Sequence, residues 1–256
     1  MKTTSAALGF RCAGVSDIGC VRSRNEDAFL ADEERGLFMV ADGVGGIAGG
    51  DVASAMVVQA LSLIITKGLR SCGRADKAIR KLLSDSVLEL SRQIFELGRD
   101  SAEYRNLGAT ALVALVRGRR VHLASMGDSR AYLVREGEMS QLTHDHSLVG
   151  LLLERGEISA QEAADHPARG KLTRFVGMEA EVDPDVQTLQ IRPGDRLLLC
   201  TDGLWGMVPD AQLKAILTEG NNPDITCRSL LVAGKQAGGQ DNLTVVVCDL
   251  LDGARA

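Results

Sequence analysis

Short runs of apolar residues recur along the chain and predict β-strands. Most are about four to eight residues long, rich in Val and Leu, and bounded by Gly, Asp or Arg. The short polar connections at 117–120 and 136–138 have the composition of hairpin turns between such runs. The predicted strands are residues 37–41, 109–116, 121–124, 131–134, 196–200 and 243–248.

A second periodicity, with apolar residues three or four positions apart, predicts α-helices. Its clearest example places Ile79, Leu83 and Val87 on one face of a long helix. Two of the helices begin at a proline, which is favourable in a first helical turn. The predicted helices are residues 51–66, 76–97, 209–217 and 223–237.

The order of these elements predicts the fold class. Runs of strands and runs of helices follow one another without strict alternation, which favours an α+β fold over a doubly wound parallel sheet. No repeat, low-complexity tract or change of composition divides the chain. We therefore expect a single domain over residues 1–256.

Composition and charge exclude several classes of protein. The chain has 256 residues, of which 45% are hydrophobic, as in a globular rather than a disordered protein. Its formal charge of −5 and its 3% aromatic content argue against a nucleic-acid partner, which calls for a basic surface and stacking rings. The six cysteines form no Cys-x-x-Cys pair, and Cys200 and Cys248 lie in apolar runs typical of buried, inert thiols. The sequence shows no signal peptide, and no apolar run approaches the about 20 residues that a membrane span requires. We therefore expect a cytoplasmic protein without membrane association.

Acidic residues stand at the ends of several apolar runs. Asp42 and Asp202 are each followed by glycine, and the ordinary interpretation of Asp-Gly is a hairpin turn. Here each pair leads toward a predicted helix instead, and an unpaired carboxylate at a strand end is costly unless water or a cation neutralises it. Oxygen ligands without a His and Cys cluster predict Mg²⁺ or Mn²⁺ rather than Zn²⁺. The aspartates in this arrangement are Asp42, Asp128, Asp202 and Asp241.

Residues 43–48 also fit the Gly-x-Gly-x-x-Ala pattern of dinucleotide-binding folds. Two observations weaken that interpretation. Asp42 would place a negative charge beside the pyrophosphate, and no acidic residue lies about twenty positions further on. The chain also lacks a P-loop Gly-Lys-Ser/Thr and the closing glycine of a nucleophile elbow around Ser129.

A dense charged cluster occupies residues 16–27. One interpretation is a surface loop of salt bridges, which would contribute little to stability. The other is a phosphate-binding site beside the metals, in which an arginine guanidinium offers a planar fork to phosphate oxygens. In that case Glu26 and Asp27 would hold metal-bound waters.

Taken together, these motifs resemble the metal-dependent protein phosphatases of type 2C, in particular their compact bacterial members. The resemblance covers nearly the whole chain and implies a four-layer α-β-β-α sandwich, with a central antiparallel β-sandwich flanked by helices. It implies hydrolysis of phosphoserine and phosphothreonine in proteins, opposing a serine/threonine kinase, by a monomeric enzyme. The motifs, in chain order, are SDIGCVRSRNEDAF, LFMVADGVGGIAGGDVAS, GATALVAL, ASMGDSRAYLV, LTHDHSLV, LTRFVG, LLLCTDGLWGMV and GGQDNLTVVV.

The resemblance also implies a set of metal ligands for two Mn²⁺ or Mg²⁺ ions. Asp42 would bridge both ions, with the carbonyl of Gly43 on one of them. Asp202 and Asp241 would bind the other ion. Asp128 matches the acidic residue that holds a third, weaker metal in some members.

The same resemblance implies the catalytic roles. Glu26 and Asp27 would act through metal-bound waters, and Arg22 would bind the substrate phosphate. A water activated by the two metals would attack phosphorus in line, without a phosphoenzyme, so that Arg22 and Asp42 are the catalytic residues.

The chain departs from the family pattern at two places. Val44 and Ile47 stand where many members carry a histidine as general acid, which leaves protonation of the leaving group to a metal-bound water or to His146. Gly206 stands where some members have an acidic residue, so a third metal would depend on Asp128.

Two further expectations concern substrates. Residues 148–174 resemble the mobile flap beside the cleft of bacterial members and are expected to influence substrate choice, although a simple surface excursion has the same pattern. One alternative function is a catalytically inactive phosphoprotein-binding module, which the intact Asp42, Asp202 and Asp241 argue against. Another is a regulatory phosphatase that acts on a phosphoserine of an anti-sigma-type switch protein.

Overall fold

Two antiparallel β-sheets form the centre of the molecule. The computed structural model describes residues 8–44, 49–100, 104, 107–179 and 182–252. In spatial order, the first sheet contains β1 (Gly9–Asp17), β11 (Leu243–Leu251), β10 (Arg196–Cys200), β7 (Arg130–Arg135) and β8 (Glu138–Gln141). The second contains β2 (Asp27–Asp32), β3 (Leu37–Val44), β5 (Ala111–Arg117), β6 (Arg120–Met126) and β9 (Asp185–Gln190), and the short β4 (Gly108–Ala109) pairs with the end of β3.

Helices cover the outer face of each sheet. Helices α1 (Gly50–Gly68) and α2 (Asp76–Asp100) pack on the second sheet, and α5 (Asp202–Trp205), α6 (Asp210–Glu219) and α7 (Pro223–Gln236) pack on the first. Two short helices, α3 (Leu148–Glu154) and α4 (Ala160–Ala164), lie between β8 and β9 in the chain. The expected α+β sandwich of four layers is therefore confirmed.

Three apolar cores hold the layers together. Phe38, Leu112 and Leu199 belong to the core between the two sheets, and the other two cores join each sheet to its own helices. Helix α1 has a length and composition that would suit a membrane span. In this fold it packs Val57, Leu61 and other apolar side chains into the core of the second sheet.

The predicted helices and strands are present, and both predicted hairpin turns are confirmed. The connections are Arg117 to Arg120 between β5 and β6, and Glu136–Gly137 between β7 and β8, where both residues adopt positive φ angles. One predicted strand, 109–116, is interrupted at Thr110, which separates β4 from β5. Cys200 and Cys248 are buried free thiols, as expected.

The interpretation of residues 16–27 as one charged loop is wrong at both ends. Ser16 and Asp17 end β1, and Asp27 begins β2, so only 18–26 form the connection. Strands β1, β2, β8 and β9 were not predicted. β1, β2 and β9 are almost entirely half-buried and β8 is mostly exposed, so their sequences mix polar and apolar residues.

Candidate metal centre

Five aspartates from different elements converge at one end of the sandwich. Asp42 in β3 lies directly opposite Asp27 in β2, and its carboxyl is close enough to that of Asp202, the first residue of α5, to interact with it electrostatically. Asp128, which follows β6, and Asp241, which precedes β11, act electrostatically on members of the same group. The structure thus brings together all five aspartates that the sequence singles out.

Burial makes the ionised form costly for four of these carboxyls, those of Asp27, Asp42, Asp128 and Asp202. Burial, reinforced by the neighbouring carboxylates, raises the pKa of Asp42 and Asp128 well above the usual range. Burial also raises the pKa of Asp202, and it raises the pKa of Asp27 to about 7. The Oδ1 atoms of Asp27 and Asp202 are buried without a hydrogen-bond partner among the residues described.

This donor set fits a hard divalent cation. It offers only oxygen atoms, and two of them lack the hydrogen bonds that buried polar atoms require, a deficit that a cation removes. Among the residues described, no three His, Cys, Asp or Glu side chains already enclose a common point. Instead, Asp241 pairs with Arg22, and its side chain would exchange that partner for a cation.

Thr110 holds Asp42 in place. The Asp42 amide donates to Thr110 Oγ1 at 2.9 Å, and the Thr110 amide donates to the Asp42 carbonyl at 2.8 Å. The Thr110 hydroxyl is also 2.8 Å from that of Ser129, the residue after Asp128. One threonine therefore ties the Asp42 strand to the Asp128 loop, a role that sequence reasoning missed because threonine is ordinary within a strand-like run.

Close backbone contacts explain the glycine after Asp42. A Cβ atom on Gly43 would collide with the backbone of Gly50 at the start of α1, and one on Gly50 would lie 2.8 Å from the Glu26 carboxyl carbon. The Gly43 amide donates to the Glu26 carbonyl at 3.0 Å. Glu26 therefore lies beside Gly43 and at a helix N-terminus, where a carboxylate is favoured.

Asn242 joins the 18–26 connection to the metal-centre end of β11. Its Oδ1 accepts from the Glu26 amide at 2.8 Å, and its Nδ2 donates to the carbonyls of Ile18 at 3.0 Å and Arg24 at 2.9 Å. Its carbonyl oxygen also lies where a Cβ on Gly203 would collide with it. Asn242 was not predicted, and its only signal is its place directly after Asp241.

Arg22 lies beside the group of aspartates and forms a salt bridge with one of them, Asp241. Its Nη2 atom is 2.6 Å from Asp241 Oδ2, and 50% of its side chain is exposed. Asp241 also accepts from the Asn242 amide at 2.8 Å. Arg22 therefore lies next to the carboxylates, where Asp241 occupies its guanidinium.

The structure also locates the two departures from the family pattern. Val44 pairs with Gly108 at the end of β3, whereas Ile47 lies outside the described residues. At Gly206 the carbonyl accepts a hydrogen bond from the guanidinium of Arg169, and a Cβ there would lie 2.8 Å from Arg169 Nη2. The same Cβ would lie 2.5 Å from the Asp202 carbonyl oxygen, so any side chain at 206 would require both the backbone and Arg169 to shift.

Residues 148–174 carry α3 and α4 and form one wall of a cavity of about 540 Å³. The cavity reaches Asp128 and Asp202, and its other wall comes from the start of α6 and the segment before it. Trp205 also lines this cavity. Its Nε1 donates a hydrogen bond to the Asp128 carbonyl at 3.0 Å, and the guanidinium carbon of Arg130 lies 3.5 Å from the centre of its ring. The segment is thus adjacent to the carboxylates.

Comparison with known proteins places this arrangement among phosphatases. Residues 21–224 match the family described as Protein phosphatase 2C. The chain is 35% identical over 237 residues to the "Serine/threonine phosphatase stp" of Listeria innocua, an alignment that covers 91% of this chain and 93% of that protein. It is 32% identical over 240 residues to "Protein phosphatase PhpP" of Streptococcus pneumoniae, covering 92% and 96%.

Solved structures agree with the sequence comparison. The catalytic domain of the serine threonine protein phosphatase PstP, in complex with two manganese ions, superposes with a TM-score of 0.84 at 33% identity, covering 96% of this chain and 100% of that one. Stp1 of Staphylococcus aureus, a serine/threonine phosphatase, gives a TM-score of 0.82 at 28% identity, covering 97% and 99%.

Proposed function

The chain belongs to the protein phosphatase 2C family and is a metal-dependent serine/threonine protein phosphatase, and on this premise we propose which of its residues carry the reaction. The observation that supports the assignment is the group of buried carboxyls with two unpartnered oxygen atoms. Asp42 would bridge two Mn²⁺ or Mg²⁺ ions, with the carbonyl of Gly43 on one, and Asp202 and Asp241 on the other. Asp128 would hold a third ion.

The remaining residues would handle water and phosphate. When bound, the ions lower the pKa of a water molecule and neutralise phosphoryl charge. Glu26 and Asp27 would orient water beside the site, and Arg22 would exchange Asp241 for the phosphate oxygens. Its half-exposed side chain and its position next to the carboxylates support that exchange.

His146 does not take the role of general acid in this proposal. It is buried, with one ring nitrogen bonded to the Gly127 amide and the other to Asp185. Protonation of the leaving serine or threonine oxygen is therefore assigned to water at the site.

We further propose a biological setting for the enzyme. It would act on phosphoproteins as a monomer in the cytoplasm, opposite a serine/threonine kinase. Residues 1–256 would form one catalytic domain, in which 148–174 act as a flap that influences substrate choice. The cavity between this segment and the carboxylates supports the last point.

The substitution Asp202→Asn tests the metal assignment. It keeps the size of the side chain but removes a charge from the group, so it should abolish Mn²⁺-dependent release of phosphate from a phosphothreonine peptide. Asp85→Asn is the matched control, since that exposed carboxylate on α2 pairs with Lys81 on the helix surface. Asp202→Asn at wild-type activity would contradict the assignment.

The same assay separates the enzyme from an inactive phosphoprotein-binding module on this fold. A binding module would retain the phosphopeptide in a calorimetric titration without releasing phosphate at any Mn²⁺ concentration. The enzyme would release phosphate from the same peptide.

A further inference from the structure

His146 is a buried side chain whose two ring nitrogens are both engaged. Its Nδ1 accepts a hydrogen bond from the Gly127 amide at 3.2 Å, and its Nε2 lies 3.1 Å from Asp185 Oδ2 and 3.4 Å from Arg174 Nη1. A nitrogen that accepts from an amide carries no proton, so the proton is on Nε2 and is donated to Asp185. Burial, the largest influence, lowers the pKa of His146.

The two partners of the ring belong to adjacent strands. Asp185 is the first residue of β9 and pairs with Ser125 of β6, and Gly127 directly follows β6. Asp185 is also held by Arg174, whose Nη1 donates to Oδ1 at 3.0 Å. His146 therefore connects a fixed carboxylate at one strand end to the loop that leaves the neighbouring strand.

The Gly127 backbone is confined from two sides. Its φ angle of +119° is favourable only for glycine, and a Cβ there would lie 2.6 Å from Thr110. On the other side, it donates to the His146 ring and accepts from the His146 amide at 2.9 Å. The ring thus holds the peptide before Gly127 and the His146 amide holds the peptide after it, and the next residue, Asp128, interacts electrostatically with Asp42 and Asp202.

The same histidine stands at the base of the 148–174 segment. The Thr173 amide donates to the His146 carbonyl at 2.8 Å, and the Leu148 amide donates to the Lys171 carbonyl at 2.8 Å. Ser147 and Leu172 form a β-bridge between these bonds. The two ends of the segment are thus joined directly beside His146.

We propose that His146 is a positioning residue that, through Nδ1, holds the Gly127 peptide so that Asp128 can bind a cation, and that links this orientation to the base of the 148–174 segment. The proposal rests on the proposed function, since it takes Asp128 as a metal ligand. It assigns no proton transfer to His146.

Two substitutions test the contact at Nδ1 and the contact at Nε2 separately. In His146→Asn, the amide oxygen can occupy the place of Nδ1 and accept from Gly127, whereas contact with Asp185 is lost. In His146→Gln, the longer side chain can reach Asp185 but offers no acceptor at the Nδ1 position. A role in packing alone would make the two variants similar.

The readouts are Mn²⁺ affinity by calorimetry and hydrogen exchange of the Gly127 amide. His146→Gln should weaken the Asp128-linked Mn²⁺ site by about 10–100-fold, the usual effect of losing a group that orients a metal ligand. It should also accelerate exchange at Gly127. His146→Asn should stay close to wild type in both measurements. Equal effects of the two variants would overturn the proposal.

A double-mutant cycle with Asp128→Asn completes the test. His146→Gln should have no further effect on Mn²⁺ binding once Asp128 is replaced. Additive effects would overturn the positioning role of His146 while leaving Asp128 as a ligand. An unchanged Mn²⁺ isotherm for Asp128→Asn alone would overturn this proposal together with the third-ion assignment, while the Asp202→Asn assay would still decide the catalytic assignment separately.

Discussion

Replacing Asp27 by asparagine should stabilise the metal-free enzyme while impairing its function. Asp27 lies opposite Asp42, accepts from the Thr201 hydroxyl at 2.9 Å through Oδ2, and buries Oδ1 without a partner. Burial is the main cause that raises its pKa to about 7. Asparagine has nearly the same shape, can still accept from Thr201, and carries no charge.

The sign and size of the effect follow from proton linkage. A carboxyl with a higher pKa in the folded state favours unfolding as the pH rises above its unfolded value, because the unfolded chain ionises first. The cost grows between the unfolded value of 3.8 and the folded value of about 7, where it reaches roughly 4 kcal/mol. Asp27→Asn removes that cost, so its advantage should be about 4 kcal/mol at pH 8 and close to zero at pH 4.

Urea and thermal denaturation in EDTA, from pH 4 to pH 8, measure this difference. For a chain of this size each kcal/mol corresponds to roughly 2–4 °C in Tm, so the variant should melt about 8–16 °C higher at pH 8. Asp85→Asn is the exposed control and should change stability by less than about 0.5 kcal/mol. With saturating Mn²⁺ the advantage should shrink, because metal binding stabilises the wild type.

A difference between Asp27→Asn and wild type that did not change with pH would refute the reasoning. So would a loss of stability at pH 8.

Two further substitutions test the supports of the site. Gly203→Ala should destabilise the protein by about 1–3 kcal/mol in urea denaturation, since its Cβ would collide with the Asn242 carbonyl, whereas Gly73→Ala, with 3.6 Å to its nearest neighbour, should be nearly neutral. Asn242→Ala removes three hydrogen bonds to the 18–26 connection and should cost about 2–4 kcal/mol and most of the phosphatase activity. Asn222→Ala, which removes only the cap of α7, should cost about 1 kcal/mol and leave activity unchanged. Full activity in Asn242→Ala would show that the site does not depend on the hydrogen bonds by which Asn242 holds the 18–26 connection.

The fold was predictable where burial is uniform. Strands β3, β10 and β11 are buried over most of their length, so each contains a run of apolar residues. Strands β1 and β9 are almost entirely half-buried, and their sequences, GFRCAGVSD and DVQTLQ, carry polar residues throughout. Their pairing depends on long-range register, which no local pattern reveals.

The candidate site was predictable through its charges and not through its neutral supports. Asp42 and Asp202 stand out because a carboxylate after an apolar run is unusual. Thr110 and Asn242 do not stand out, because a neutral polar side chain is common at such positions and its partners lie far away in sequence. The Arg22–Asp241 pair joins residues 219 positions apart, so only the folded chain brings them together.

The position of β11 has a consequence for synthesis of the enzyme. This strand lies between β1 and β10, and Asp241 and Asn242 directly precede it. While a ribosome is still adding residues before this point, β1 lacks its neighbour, the 18–26 connection lacks Asn242, and the carboxylate group lacks one member. We therefore expect a growing chain to have no phosphatase activity until β11 has left the exit tunnel and closed the first sheet.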